Sequence, residues 1–218
     1  MTTDLTAIDI LIEPDAAALA RAVAENARLR AQAPDGFALD ESHQPHITLL
    51  QRYVWTAELD QVFSVVAQTL GAHHPDRLSF RATGLRHMPV AAMPGFGIAA
   101  IVATPGAGVL DLQLALIEAV APFTGTGGTA AAFETTIQEP EINGDTLTYV
   151  ERYVPDHSGA NFVAHMTVGL APLDLLGAVE AKPFEELEFH PSTLAIFKLG
   201  DNGTARRRLA SWPVSAPG

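Results

Sequence analysis

Two short stretches place a histidine and a threonine two residues apart inside an apolar run: His46-Ile47-Thr48 in PHITLLQRYV and His165-Met166-Thr167 in HMTVGL. In a strand, residues i and i+2 point to one face, so each imidazole would stand about 6–7 Å from its hydroxyl along the backbone. An imidazole gives or takes a proton near neutral pH, and a hydroxyl can hold an anionic oxygen. Two such strands facing each other would gather two proton-transfer groups and two anion ligands around one small volume. That set can deprotonate an attacking group, protonate a leaving atom and hold the charge that develops between them.

The bare pattern is common. With 8 histidines in 218 residues, about one His-x-Ser/Thr match is expected by chance, and the chain has three. The third, His190-Pro191-Ser192, carries a proline and falls between two strand-like runs, so it reads as an ordinary turn. His46 and His165 differ because each sits in an apolar strand, where a half-buried imidazole needs a partner or a task. Their matching places in two similarly ordered halves favour the task.

Those halves read as follows. Ala7 to Ile12 forms a first strand, and Asp15 caps a helix to about Gln32. A polar loop, Asp40 to Gln44, leads into the first motif strand. Thr56 caps a helix with Leu59, Val62, Phe63, Val66 and Leu70 at helical spacing, ended by Gly71. Strands follow at Leu78–Leu85 and Gly97–Thr104, joined by a Pro/Gly/Met-rich connection from Arg86 to Phe96. The order then restarts. Val109, Leu112, Leu116 and Val120 mark a helix ended by Pro122, and the glycine run from Thr124 to Thr129 reads as a flexible connection. No Gly-Lys-Ser/Thr follows it, which argues against a phosphate-cradling loop. Thr146 caps a short helix with Leu147, Val150 and Val154 inward, and the second motif strand comes next. A helix from Pro172 to Ala181 precedes a strand pair, Phe184–Phe189 with Thr193–Leu199. The tail turns at Gly200 to Gly203 and returns through Leu209 to Val214. The halves divide at about 104/105 within a single domain spanning 1–218.

Composition narrows the partners. A formal net charge of −12, from 25 acidic and 13 basic residues, disfavours long nucleic acid, which is usually met by a basic surface. A small phosphorylated ligand held by a few local cations fits. The chain has no cysteine, so disulfides, thiolate nucleophiles and cysteine metal sites are excluded. The start, Met1-Thr2-Thr3-Asp4-Leu5, lacks a signal-peptide pattern, and no apolar run approaches the roughly 20 residues of a membrane helix. A soluble cytoplasmic monomer is expected. His73-His74 and His43 with His46 are nearby pairs, but no His-Glu-x-x-His or comparable spacing marks a metal site. No cofactor is expected.

With these residues in view, HITLLQRYV, HMTVGLA and the ending LAIFKLGDNGTARRRLASWPV resemble the two-histidine (2H) phosphoesterase superfamily, particularly its bacterial 2′-5′ RNA ligase-like members. The resemblance spans essentially the whole chain. It implies a bilobal, duplicated α+β fold, with two antiparallel sheets flanking a central groove and helices outside. It also implies chemistry on 2′,3′-cyclic phosphates, 2′-5′ linkages or related cyclic nucleotides, with His46 and His165 catalytic and Thr48 and Thr167 binding phosphate. Ring opening then needs one histidine as base and one as acid, without metal, and the sequence does not decide which is which. RNA 2′-5′ ligation or RNA-end processing is one alternative, and a non-catalytic nucleotide-binding module on the same fold is another.

Arg52, at an even offset from His46, is a candidate substrate-binding residue, as is Lys198. Tyr53 has the opposite parity and reads as packing. Arg206-Arg207-Arg208 reads as a solvated strand end more than a substrate-attracting patch. Trp55, Phe96 and Phe133 read as core before base-stacking platforms.

Overall fold

A computed structural model describes residues 4–40, 43–90, 93–137 and 139–214. Positions 41–42 of the polar loop and 91–92 of the Pro/Gly/Met-rich connection therefore lie outside the described residues. In order the chain forms β1 (Leu5–Pro14), α1 (Ala16–Arg30), β2 (Ile47–Trp55), α2 (Leu59–His73), β3 (Phe80–Pro89), β4 (Phe96–Pro105) and α3 (Val109–Val120). There follow α4 (Gly144–His157), β5 (Ala164–Pro172), α5 (Leu173–Glu180), β6 (Leu187–Phe189), β7 (Pro191–Leu199) and β8 (Ala205–Pro213). The fold is α+β, with two four-stranded antiparallel sheets ordered β2-β1-β7-β8 and β5-β4-β3-β6.

Local chemistry accounts for the elements. Asp15 caps α1 by accepting from the Ala18 amide at 3.0 Å, and its other carboxylate oxygen takes the His190 amide at 2.9 Å. Ile8, Ile10 and Ile12 alternate along β1 and share one buried core with Val62, Val66 and Leu70 of α2 and Leu112, Leu116 and Val120 of α3. Burial of each large aliphatic side chain stabilises the fold by about 1.5–3 kcal/mol. Among the described residues no helix is long and apolar enough to cross a membrane.

Several boundaries differ from those the sequence suggests. The strands near 184–189 and 193–199 are not a pair: β6 joins β3 in one sheet and β7 joins β1 in the other. The chain changes sheets at His190, anchored there by Asp15 and by its ring Nδ1 on the Leu78 carbonyl at 2.9 Å. Helix α2 passes Gly71 and stops at His74, whose φ of 50° is left-handed. Thr56 begins a 3₁₀ turn instead of capping α2, its hydroxyl 2.9 Å from that of Thr6. Asn143, not Thr146, caps α4, accepting from the Thr146 amide at 2.7 Å. The glycine run packs closely, since a Cβ on Gly128 would collide with the Tyr53 ring.

The duplication lies in topology. β1-α1-β2 matches β4-α3-β5: each unit gives a central strand, a helix and the edge strand bearing one motif. In each, the register slips just after the motif threonine. Leu11 pairs with Thr48 and Ile10 with Leu50, leaving Leu49 bulged. Ala100 pairs with Thr167 and Ala99 with Gly169, leaving Val168 bulged. A bulge leaves a residue outside the ladder and re-aims the strand, and here each bulged carbonyl accepts from a buried amide side chain. Gln113 of α3 donates Nε2 to Leu49 O, and Asn26 of α1 donates Nδ2 to Val168 O, both at 2.9 Å. The same amides fix the approach to the opposite motif. Asn26 bonds Phe37 O at 3.0 Å and the Leu39 amide at 3.3 Å, ahead of His46. Gln113 accepts from the Gly159 amide at 2.9 Å, ahead of His165.

Replacing either amide by leucine strands buried backbone groups. Asn26→Leu and Gln113→Leu are each expected to lose about 1–3 kcal/mol of stability, read as a lower urea midpoint at unchanged slope.

Candidate active site

The two bulged edge strands, one from each sheet, approach each other. His46 stands one residue before β2 and His165 is the second residue of β5, and the two are close enough for the charge of His46 to act on His165. Both rings are held alike. His46 Nδ1 meets Gln44 O at 2.8 Å, and His165 Nδ1 meets Val163 O at 2.8 Å. A carbonyl only accepts, so each Nδ1 carries the hydrogen and each Nε2 is left for proton transfer.

Their surroundings differ. His46 Nε2 lies 3.6 Å from Oδ2 of Asp9, a fully buried carboxylate in the middle of β1. The same oxygen accepts from the Thr48 hydroxyl at 2.8 Å and the Gln51 amide at 3.0 Å. Burial pushes the Asp9 carboxyl above its usual range, opposed by His46, Gln51 and Thr48. His165 is pushed below the usual imidazole range, chiefly by burial, with further lowering from His46 and His157 and a raising effect from the Val163 carbonyl. The threonines differ too. Thr48 donates its hydroxyl hydrogen to Asp9, whereas no hydrogen bond joins the Thr167 hydroxyl to another described residue.

Helix α4 closes one side of the site. Tyr153 donates to Thr48 O at 3.3 Å, and Tyr149, Tyr153 and His157 form a stripe at successive i, i+4 positions. Tyr149 and His157 have ring centroids 4.5 Å apart, and Tyr149 and Tyr153 5.9 Å. Burial and the Asp9 charge raise both phenols, Tyr149 to about 12. Burial also lowers His157. Asp201 pins the start of this helix, accepting from the Asn143 amide at 2.9 Å and the Thr146 hydroxyl at 3.0 Å.

The candidate cations do not join the site. Parity from His46 would bring Arg52 to its face, but the Leu49 bulge reverses the alternation. Asp9 pairs with Gln51 and Ile8 with Arg52, so Gln51 faces the site and Arg52 the opposite side. There Arg52 donates to Thr124 Oγ1 at 3.0 Å. Lys198 pairs with Ile8 on that same opposite face, and its ammonium sits 3.4 Å from Glu134. Arg207 shares Glu134 at 3.1 Å, Arg206 pairs with Glu139, and Arg208 with Glu13. Tyr53 and Phe133 are buried and meet edge to face, 5.8 Å apart, as packing residues. Among the described residues no three His, Cys, Asp or Glu side chains group as a metal site.

Sequence reasoning missed Asp9, Gln51 and the α4 stripe. A lone charge inside AIDILI was the available signal for Asp9, and the spacing of Tyr149, Tyr153 and His157 the signal for the stripe.

No family model matches the chain, and no curated protein matches it in sequence. Among solved structures, TT0787 of Thermus thermophilus aligns over 98% of this chain and 100% of its own, at 15% identity and a TM-score of 0.54. This chain shares that fold. A structure titled phosphoesterase aligns over 97% of this chain and 99% of its own, at 13% identity and a TM-score of 0.45. E. coli LigT, complexed with 3′-AMP, aligns over 95% and 97%, at 13% identity and a TM-score of 0.42.

The unequal threonines give a measurable contrast. Thr48→Val removes a donor from the buried Asp9 carboxylate and is expected to cost about 1–3 kcal/mol, whereas Thr167→Val should change stability by less than about 0.5 kcal/mol. Parallel denaturant titrations of the two variants test this.

Proposed function

We propose that this protein is a metal-independent phosphoesterase of the 2H type, opening 2′,3′-cyclic phosphates or related small cyclic nucleotides between His46 and His165. One observation carries the reading: two His-x-Thr motifs stand at equivalent places on two matched strands, each histidine with Nδ1 tied to a carbonyl and Nε2 left for chemistry. One Nε2 removes a proton from water as its oxygen attacks phosphorus. The other gives a proton to the ribose oxygen that leaves. The product is a phosphomonoester, and proton exchange with solvent restores both rings. Thr167 donates to a non-bridging oxygen, and Thr48 does so after turning its hydroxyl away from Asp9.

The charge arrangement favours small substrates. Lys198, Arg206, Arg207 and Arg208 are each paired with a glutamate, and Arg52 faces away. Extra phosphates on an oligomer would meet an acidic chain with its nearby cations already engaged.

His46→Ala and His165→Ala should each lower turnover of a 2′,3′-cyclic mononucleotide by about a hundredfold or more while the chain stays folded, and wild-type activity should survive EDTA. Near wild-type rates in either variant of a demonstrably active protein overturn the assignment. Binding without ring-opened product in a single-turnover assay would mark a nucleotide-binding module instead. In competition at low salt, the mononucleotide should match or exceed, in kcat/KM, an oligonucleotide ending in the same cyclic phosphate. An oligomer preference that fades steeply with added salt would favour RNA-end processing.

A further inference from the structure

The two motif strands correspond residue by residue, so the partner of each can be compared. Gln51, five residues after His46, pairs with Asp9. Leu170, five after His165, pairs with Ile98. The same position of the fold thus carries a carboxylate in one lobe and an aliphatic side chain in the other, so the architecture itself does not require the acid. Asp9 is also costly to keep. It is 0% exposed, and its Oδ1 has no hydrogen-bond partner among the described residues. Its other oxygen is aimed by Thr48 and Gln51 to within 3.6 Å of His46 Nε2. A buried carboxylate held against one of two otherwise similar imidazoles makes the pair unequal.

We infer that Asp9 is a positioning residue that reserves His46 as proton donor to the leaving oxygen and leaves His165 to take the proton of the attacking water. The inference rests on the phosphoesterase reading. In the step, a water oxygen–phosphorus bond forms and the phosphorus–ribose oxygen bond breaks. The water proton passes to His165 Nε2, and the proton on His46 Nε2 passes to the released ribose oxygen. Asp9 meets neither the substrate nor the attacking water; its Oδ2 stands 3.6 Å from the Nε2 that gives the proton, beyond hydrogen-bond reach. It sets a carboxylate beside the part-buried His46 ring, which Gln44 O already holds through Nδ1, and so favours a proton on that ring. His165 has Val102 as its cross-strand partner on β4, is paired with no carboxylate among the described residues, and suits the neutral, accepting role. Thr48 and Gln51 of β2 face Asp9 as neutral donors. Tyr149 and Tyr153 of α4 also face it and stay neutral throughout an ordinary assay range. The charges of His46 and His157 both act on His165.

Asp9→Asn keeps the shape and removes the charge. With a 2′,3′-cyclic mononucleotide, kcat should fall by about tenfold or more with KM changed by less than about threefold. The alkaline limb of the kcat/KM profile should move to lower pH, because the proton donor has lost its anionic partner. A lowered rate with an unmoved limb would make Asp9 merely structural and overturn the inference. Side-chain NMR gives a test independent of turnover: the His46 ring nitrogens of Asp9→Asn should titrate at lower pH than in wild type, while those of His165 move less. Should Asp9→Asn fail to fold, the wild type alone decides. The Asp9 carboxyl carbon and the His46 nitrogens should then trace the same two-step curve, and independent curves overturn the inference. If the wild type turns over no cyclic phosphate, the phosphoesterase reading and the assigned proton flow both fall, while the NMR curves still show whether Asp9 governs His46.

Discussion

The site depends on two carbonyls that cannot reach a neighbouring strand. At Leu49 and Val168 the ladder skips a residue, and each exposed acceptor is satisfied by a buried amide, Gln113 or Asn26. An unmet acceptor in the core costs more than an ordinary hydrogen bond gains, so the amides make the bulges tolerable. The bulges in turn set which side chains face the site, and the crosswise bonds to Gly159, Phe37 and Leu39 fix the approach to each histidine. Geometry at one motif is thereby tied to backbone beside the other.

The resulting symmetry is one of backbone more than of charge. Both imidazoles are oriented by a carbonyl two residues upstream, which is a local device needing no particular side chain. What differs is what lies beside them: a buried acid and its two donors beside His46, against Val102 across the strand and the charge of His157 for His165. Equal scaffolds with unequal electrostatics are how two copies of one group come to suit opposite roles.

Much of this was legible in the sequence. The motifs, the capping Asp15 and the helical spacing of Val109, Leu112, Leu116 and Val120 all depend on local pattern, and each lies where the pattern put it. Arg52 shows the limit. Strict alternation from His46 gave the wrong face because the bulge is a tertiary arrangement between Leu49 and Gln113, residues 64 apart. The supposed pairing of 184–189 with 193–199 failed for a similar reason, since a change of sheet at His190 leaves both runs looking like ordinary strands. Asp9 was visible as an odd residue, but its meaning required knowing that Thr48, Gln51 and His46 surround it. The exposed-looking arginines near the C-terminus needed the positions of Glu13, Glu134 and Glu139 to be seen as already engaged.

The sheet order has a consequence for synthesis on the ribosome. β1 occupies an inner position, yet one of its neighbours, β7, is made long after it, with most of the other strands and all of α1 to α5 in between. Until residues 191–199 emerge, this strongly apolar strand has one open edge, a template for wrong pairing. The Asp9 carboxylate, costly in the finished core, puts a charge in the middle of that edge strand throughout the wait. Inward-pointing charge is one of the devices by which strands avoid unwanted partners. The carboxylate that stands beside His46 in the finished fold would thus also guard the nascent chain.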